Sequence, residues 1–286
     1  MFELPTEVDE FKDLMPARTV LISHAGTGKT TALSLLPNCL LLDLEGGSQG
    51  YGGLCFNLKK KKEEWNMKNP TNQLTDVGAW NFFIHTIKEA NKQNRDFVYD
   101  FLGVDTLTAM QVIAEQMATS NFNKSVIGQG MAKKRDGELV KSVITELADG
   151  AGYMWLFDAW ETMLRSLEGL VKKGVVFMGH TKQGSLLKNG QNISAKDIDL
   201  TGKLKQMLLR DVQASGTLYR SDTNTVKVSF VSDERDLTTK SRCAHLANKE
   251  FTFSSLNEKT GELTVYWNII YPDWFEQPIV TKIRNV

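Results

Sequence analysis

Thr19-Val20-Leu21-Ile22-Ser23-His24-Ala25-Gly26-Thr27-Gly28-Lys29-Thr30-Thr31 decides how this chain is read. Four residues of strand-forming, mostly β-branched type run directly into a short glycine-rich turn. A helix-compatible stretch, Ala32 to Leu36, follows and stops at Pro37. A strand, a loop ending Gly-Lys-Thr and a helix in that order form a phosphate-binding loop. The glycines let backbone N–H groups turn toward phosphate oxygens, and the helix N-terminus adds a favourable dipole. Ala25, Gly26, Thr27, Gly28, Lys29, Thr30 and Thr31 are therefore the expected nucleotide-binding residues. Lys29 is placed to reach the β- and γ-phosphates, and the Thr30 hydroxyl to hold Mg²⁺. The full pattern is G-x-x-x-x-G-K-[ST], and Ser23 stands where its first glycine belongs.

Working outward, Cys39 to Leu44 is a second apolar run ending in Glu45-Gly46-Gly47, and Phe97 to Asp105 reads as a third strand. Val175 to Gly179 reads as a fourth, leading into His180. Short continuous apolar runs bounded by glycine are the mark of buried parallel strands. Between them, residues 76–94, Thr108 to Thr119 and Tyr153 to Lys173 carry apolar positions at helical spacing. Val212 to Tyr219 and Thr225 to Val231 alternate around a polar turn, which predicts an antiparallel hairpin, and Glu262 to Trp267 predicts a last strand. The pattern is α/β, with a mixed, mainly parallel sheet flanked by helices and a C-terminal antiparallel extension. The expected organisation is an N-terminal segment 1–16, a core 17–245 with an insertion at about 48–95, and a β extension 246–286 of the same domain.

Composition narrows the function classes. The 286 residues carry 34 Lys plus Arg against 34 Asp plus Glu, so bulk charge does not drive binding to nucleic acid, although local basic patches remain open. Cys39, Cys55 and Cys243 are an odd number without close pairs, which argues against a disulfide framework or a zinc site. The mixed, acidic N-terminus lacks a secretory signal, and no apolar run reaches the roughly 20 residues that span a bilayer. The expected location is the cytoplasm, with no membrane partner.

Three further residues carry candidate chemistry. Asp105 ends the third strand, where a carboxylate supports the Mg²⁺ shell; its alternative role is a helix N-cap. Glu45 ends the second strand, placed to orient or deprotonate an attacking water, with Asp43 one alternation step deeper as its competitor. His180 ends the fourth strand, where a polar side chain can touch the γ-phosphate; otherwise it is an ordinary loop histidine.

The ordered set of strand–GTGKTT, strand–DLEGG, strand–VDT and strand–GHTKQ resembles the RecA-type recombinase ATPase core, and within it the phage-encoded RecA-like ATPases of single-strand annealing. The resemblance covers roughly residues 17 to 245 and implies a RecA-like P-loop NTPase fold using ATP and Mg²⁺. It implies that Lys29, Glu45, Asp105 and His180 are catalytic, with Glu45 the base, Asp105 the Mg²⁺-supporting acid and His180 the γ-phosphate sensor. It also implies a homo-oligomer, ring or filament, with ATP at subunit interfaces, and single-stranded DNA as partner. A single-strand-binding protein and the host-cell cytoplasm follow from the same likeness. Residues 120–150 and 183–202 would then be two DNA-facing loops, with Lys133, Lys134 and Arg135 in the first. Lys182, which immediately precedes the second, joins Lys188 there as a further DNA contact. Cations in flexible loops pair with phosphate backbones, although solvated surface loops look the same in sequence. Lys240 and Arg242 are candidates for the cations inserted into a neighbour's site, against a plain surface pair.

Two other functions share these motifs. One is a RecA-fold motor, a helicase or packaging ATPase. The other is a nucleotide-gated assembly module with negligible turnover, against which Glu45 argues, since a binder needs no water activator.

Overall fold

The structure, a computed structural model, describes residues 13–48, 52–188, 191–232 and 238–282. The first twelve residues of the N-terminal segment, residues 49–51 of the insertion, residues 189 and 190 of the second expected DNA loop, and the last four residues of the β extension lie outside it. Nothing is described of the side chains of residues 184–195.

In chain order the elements are β1 (Arg18–Ser23), α1 (Lys29–Ser34), β2 (Cys39–Asp43), β3 (Leu54–Asn57), α2 (Leu58–Lys68), α3 (Asp76–Asn94), β4 (Phe101–Asp105), α4 (Leu107–Lys124), α5 (Val126–Lys134), α6 (Val143–Glu146), α7 (Gly152–Ser166), β5 (Gly174–Lys188) and β6 (Gln191–Ile198). Then come α8 (Lys203–Asp211), β7 (Ala214–Arg220), β8 (Thr225–Ser229), β9 (Lys240–Ser241), β10 (Glu250–Asn257), β11 (Glu262–Val265), α9 (Trp267–Ile270) and β12 (Ile279–Lys282).

One sheet runs β12-β11-β10-β8-β7-β1-β5-β4-β2-β3, with β6 attached to β5 and β9 to β7. The strands from β7 to β3 are parallel, and those outside β7 are antiparallel. The chain is thus an α/β protein with a mixed, mainly parallel sheet flanked by helices, as a P-loop NTPase fold requires.

The apolar runs behave as their sequence predicts. Val20, Ile22, Leu40, Leu42, Leu102 and Val104 point to a core shared with α3, α4 and α7. Their alternate neighbours Leu21, Leu41, Phe101, Val176 and Met178 point to a second core, beneath α1 and the C-terminal elements. Burial on both faces is why these strands carry no polar alternation. Helix α1 lies so close to β4 that a Cβ on Gly103 would come within 2.4 Å of Leu33.

Several expected boundaries move. The third strand begins at Phe101, not Phe97. Phe97 is exposed and hydrogen-bonded to the side chain of Asp96, while Val98 donates to Asn91, so this segment is an anchored approach loop. The long helix expected to reach Lys173 ends at Ser166, shortly before Gly169 at φ +66°. Leu167 and Leu170 stay buried after the helix has ended.

Residues 120–150 are not a flexible loop. They fold into the end of α4, α5 and α6, clasped by Asn123, which bonds both the N–H and the carbonyl of Val140, with Val140 and Val143 buried. Residues 183–202 are likewise not an open loop, because β5 continues past the sheet and returns as β6 in an antiparallel hairpin. The pairing satisfies backbone groups that a loop would leave to water.

The expected hairpin at 212–231 is present as β7 and β8. Strand β10, unread in the sequence, joins β8 to β11 and continues the same sheet. No helix among the described residues is long and apolar enough to cross a membrane.

Candidate functional site

Parallel pairing aligns the strand ends that carry the chemistry. Asp43 stands opposite Asp105, and Ser23 opposite His180, so the loops after β1 and β2, the junction of β4 with α4, and His180 within β5 meet at one end of the sheet. There they line a cleft of about 160 Å³ that includes Gly28, Lys29, Thr30, Glu45, Asp105 and His180.

Gly26 and Gly28 take φ of +77° and +93°, the left-handed region in which side chains are strained. Ser23 is the last residue of a regular strand and needs no such freedom, which explains why a glycine can be dispensed with there. Its hydroxyl has another use. The Lys29 ammonium is buried and donates to the Ser23 hydroxyl at 2.9 Å, the His24 carbonyl at 3.0 Å and the Ser23 carbonyl at 3.3 Å. Burial lowers the proton affinity of Lys29, against the attraction of Asp105 and Glu45.

Thr30 donates its hydroxyl to Asp105 Oδ2 at 2.6 Å. Burial pushes the Asp105 carboxyl above the ordinary carboxylate range, and Glu45 pushes the same way, while the Thr30 bond and Lys29 pull it back. The N-cap alternative for Asp105 does not hold: the cap residue of α4 is Thr106, and the Asp105 carboxylate faces Thr30 instead.

Glu45 sits between Thr106, whose hydroxyl donates to Glu45 Oε1, and His180, whose Nε2 lies 3.6 Å from the same oxygen. Asp43, the competitor, is committed elsewhere. It is buried and accepts from the N–H groups of Glu45, Gly46 and Ser48, the Ser48 hydroxyl and the Asn57 amide. Burial alone would raise its pKa; the donated bonds outweigh it and hold the carboxylate below the usual range. Asp43 thus shapes the loop that presents Glu45.

Three participants escaped the sequence reading. Thr106 has a weak signal, its place directly after Asp105. His24 occupies a variable position of the loop, and its Nδ1 lies 3.1 Å from the Thr181 hydroxyl, tying the phosphate loop to the strand that leaves His180. Arg220, at the end of β7, donates to the Gly26 carbonyl at 3.2 Å and the Thr223 carbonyl at 2.8 Å. It borders a second cavity of about 140 Å³ that shares Gly28 and Thr31 with the cleft. Ala32, Val226 and Leu256 give that cavity apolar walls.

Other expected residues are not brought to the cleft. Lys133 and Lys134 are exposed in the last turn of α5, whereas Arg135 turns to Glu146 at 3.0 Å. Lys182 donates to the Leu200 carbonyl at 2.7 Å, bracing the base of the hairpin. Lys188 ends β5. Lys240 and Arg242 lie at the opposite end of the sheet, because β9 pairs with the first residues of β7, beside the start of β1. There Arg242 donates to the Arg210 carbonyl at 2.9 Å.

The sequence pattern of the AAA domain matches residues 15–247, most of the chain and every element just described around the cleft. The chain belongs to the AAA domain family. Membership makes it a P-loop ATPase-family protein, for which ATP binding is the shared property and Mg²⁺ the usual companion. No curated protein matches the chain.

The residues fit this family's ligands. A buried ammonium held by neutral oxygens of Ser23 and His24, beside two positive-φ glycines, is suited to anionic phosphate. A buried carboxylate whose proton affinity is raised, with a hydroxyl at 2.6 Å, is relieved by a cation.

Proposed function

We propose that this AAA-family protein is a Mg²⁺-dependent, RecA-like ATPase that acts on single-stranded DNA in phage recombination or annealing. The observation that carries the proposal is the placement of Glu45. It stands in the phosphate cleft, held by Thr106 and facing His180, and His180 belongs to the strand that runs unbroken into the β5–β6 hairpin.

Lys29 and the loop N–H groups bind the β- and γ-phosphates. Thr30 and Asp105 would hold Mg²⁺, which balances phosphate charge when bound. The second cavity, beyond Thr31, would take the sugar and base. Glu45 orients a water and accepts its proton as the water oxygen bonds to the γ-phosphorus. The bond from that phosphorus to the bridging oxygen breaks, releasing ADP and phosphate. His180 exchanges its contact with Glu45 for one with the γ-phosphate, and through β5 this moves the hairpin that bears Lys188. Lys133 and Lys134 offer a second basic contact to DNA. Lys240 and Arg242, far from their own cleft, would enter that of a neighbouring copy in a ring or filament. A single-strand-binding protein and a host-cell cytoplasmic setting complete the reading.

The test is ATP turnover with and without single-stranded DNA, in the wild type and in Glu45→Gln. The variant should bind ATP and lose about 10²–10⁴ in rate, because its amide cannot take a proton. DNA should stimulate the wild type, less so as salt rises. Near-normal turnover in Glu45→Gln removes the base assignment. Turnover indifferent to DNA at every salt concentration removes the DNA reading.

A further inference from the structure

The helical pair inside the expected insertion carries a feature that ATP chemistry does not use. Between α2 and α3 runs an apolar groove of about 230 Å³, floored by Phe56, Leu74 and Ala79 and walled by Trp65 and Phe82. The two wall rings pack 5.0 Å apart at a tilt of 51°, and the Trp65 indole N–H is held by the Asn72 carbonyl at 3.3 Å. Phe82 nonetheless keeps 44% of its surface exposed. Apolar surface left open in a concave site gains free energy when another apolar group covers it.

The rim is basic. Helix α2 carries Lys59, Lys60, Lys61, Lys62 and Lys68 against Glu63 and Glu64, a net +3 in a chain whose total is zero. Lys61 pairs with Glu64 at 3.0 Å and Lys62 with Asp76. Lys60 and Lys68 make no ion pair among the described residues. Lysines flanking an apolar trough lay their stems along it and present charge at its edge.

We infer that this groove is a docking site for an acidic segment of a partner protein, one that lays an aromatic or aliphatic side chain over the packed rings of Trp65 and Phe82 and sets its carboxylates against Lys68, which lines the groove, and Lys60, exposed two turns earlier on the same helix. A nucleic acid fits less well. The side chains of Phe56, Leu58, Leu74 and Ala79 provide no hydrogen-bonding groups for base edges, and Trp65 and Phe82 tilt against each other rather than forming an open stacking platform. The site adjoins the catalytic loop. Asn57, the N-cap of α2, donates to Asp43, and Lys59 reaches the Glu45 carbonyl at 3.4 Å. The inference does not depend on the DNA reading.

The test uses the full chain and a fluorescein-labelled synthetic peptide, Glu-Glu-Leu-Asp-Glu-Phe-Asp, followed by fluorescence anisotropy. Two controls replace every carboxylate by its amide, or Leu and Phe by Ser. Both should bind at least ten-fold more weakly, and binding of the parent peptide should weaken as salt rises. Phe82→Ser and the double change Lys60→Glu, Lys68→Glu alter exposed side chains, so circular dichroism should be unchanged while peptide affinity falls at least ten-fold. Unlabelled oligothymidylate is the competitor. Equal binding of acidic and amide peptides, absence of binding, or affinity unchanged in these variants overturns the inference. Displacement of the peptide by oligothymidylate, lost in both variants, overturns it in favour of a nucleic-acid groove.

Discussion

Asp43→Asn is expected to be more damaging than an isosteric change at a non-catalytic position would ordinarily be. The carboxylate accepts five hydrogen bonds: Oδ1 from the N–H of Glu45 at 3.0 Å and of Gly46 at 2.6 Å, Oδ2 from Ser48 N–H at 3.0 Å, from the Ser48 hydroxyl and from Asn57 at 3.0 Å. An asparagine keeps one acceptor oxygen. Placed at Oδ2 it retains three donors, and its NH₂ then opposes the N–H groups of Glu45 and Gly46. Two hydrogen bonds to a charged group, each contributing about 1.5–3 kcal/mol, are lost. Both N–H groups lie in a partly exposed loop that water can reach, so the low end applies, about 3 kcal/mol. For 286 residues the unfolding entropy is roughly 0.6 kcal/mol/K, which converts this to a fall in Tm of about 5 °C.

The pH dependence adds a second check. The folded-state pKa of Asp43 is depressed, so its stabilisation is fully present above the unfolded value of about 3.9 and is lost as pH falls through the lower folded value. Urea unfolding of the two proteins should therefore give a constant gap from pH 8 to about pH 5, narrowing only in stronger acid. ATP turnover should fall too, because the loop no longer fixes Glu45. A Tm within 1 °C of wild type, or a gap unchanged below the ordinary carboxylate range, would refute the assignment of Asp43 as the scaffold of this loop.

Two other substitutions probe the same cleft. Lys29→Ala should abolish or severely weaken ATP binding in a calorimetric titration, since the triphosphate loses its main charge partner; unchanged affinity would end the phosphate-loop assignment. Asp105→Asn should raise the Tm of the nucleotide-free protein at neutral pH while lowering turnover. The raised folded pKa of Asp105 means its charge costs stability as pH rises above the ordinary carboxylate range, and the amide removes that cost; a lower Tm at pH 7 contradicts this.

What the sequence determined by itself is what depends on local order. A strand, Gly-Thr-Gly-Lys-Thr and a helix must form a phosphate loop wherever they fold, because the glycines' φ values and the lysine's reach are properties of a dozen consecutive residues. Unbroken apolar runs at 20–22 and 39–42 likewise announce strands covered on both faces. The tertiary structure alone decided which carboxylate is free to act. In sequence Asp43 competes with Glu45 from one alternation step deeper, and only the approach of Ser48 and of Asn57, on the neighbouring strand, fills one and leaves the other facing His180. It also decided that 120–150 folds into the end of α4, α5 and α6 around a packed connection, where buried Val140 and Val143 outweigh a polar composition, and that Arg220 reaches Gly26 across 194 residues of chain. Such pairings depend on which strands lie side by side. Strand order is set by the packing of two cores over the whole sheet, and no window of the sequence contains it.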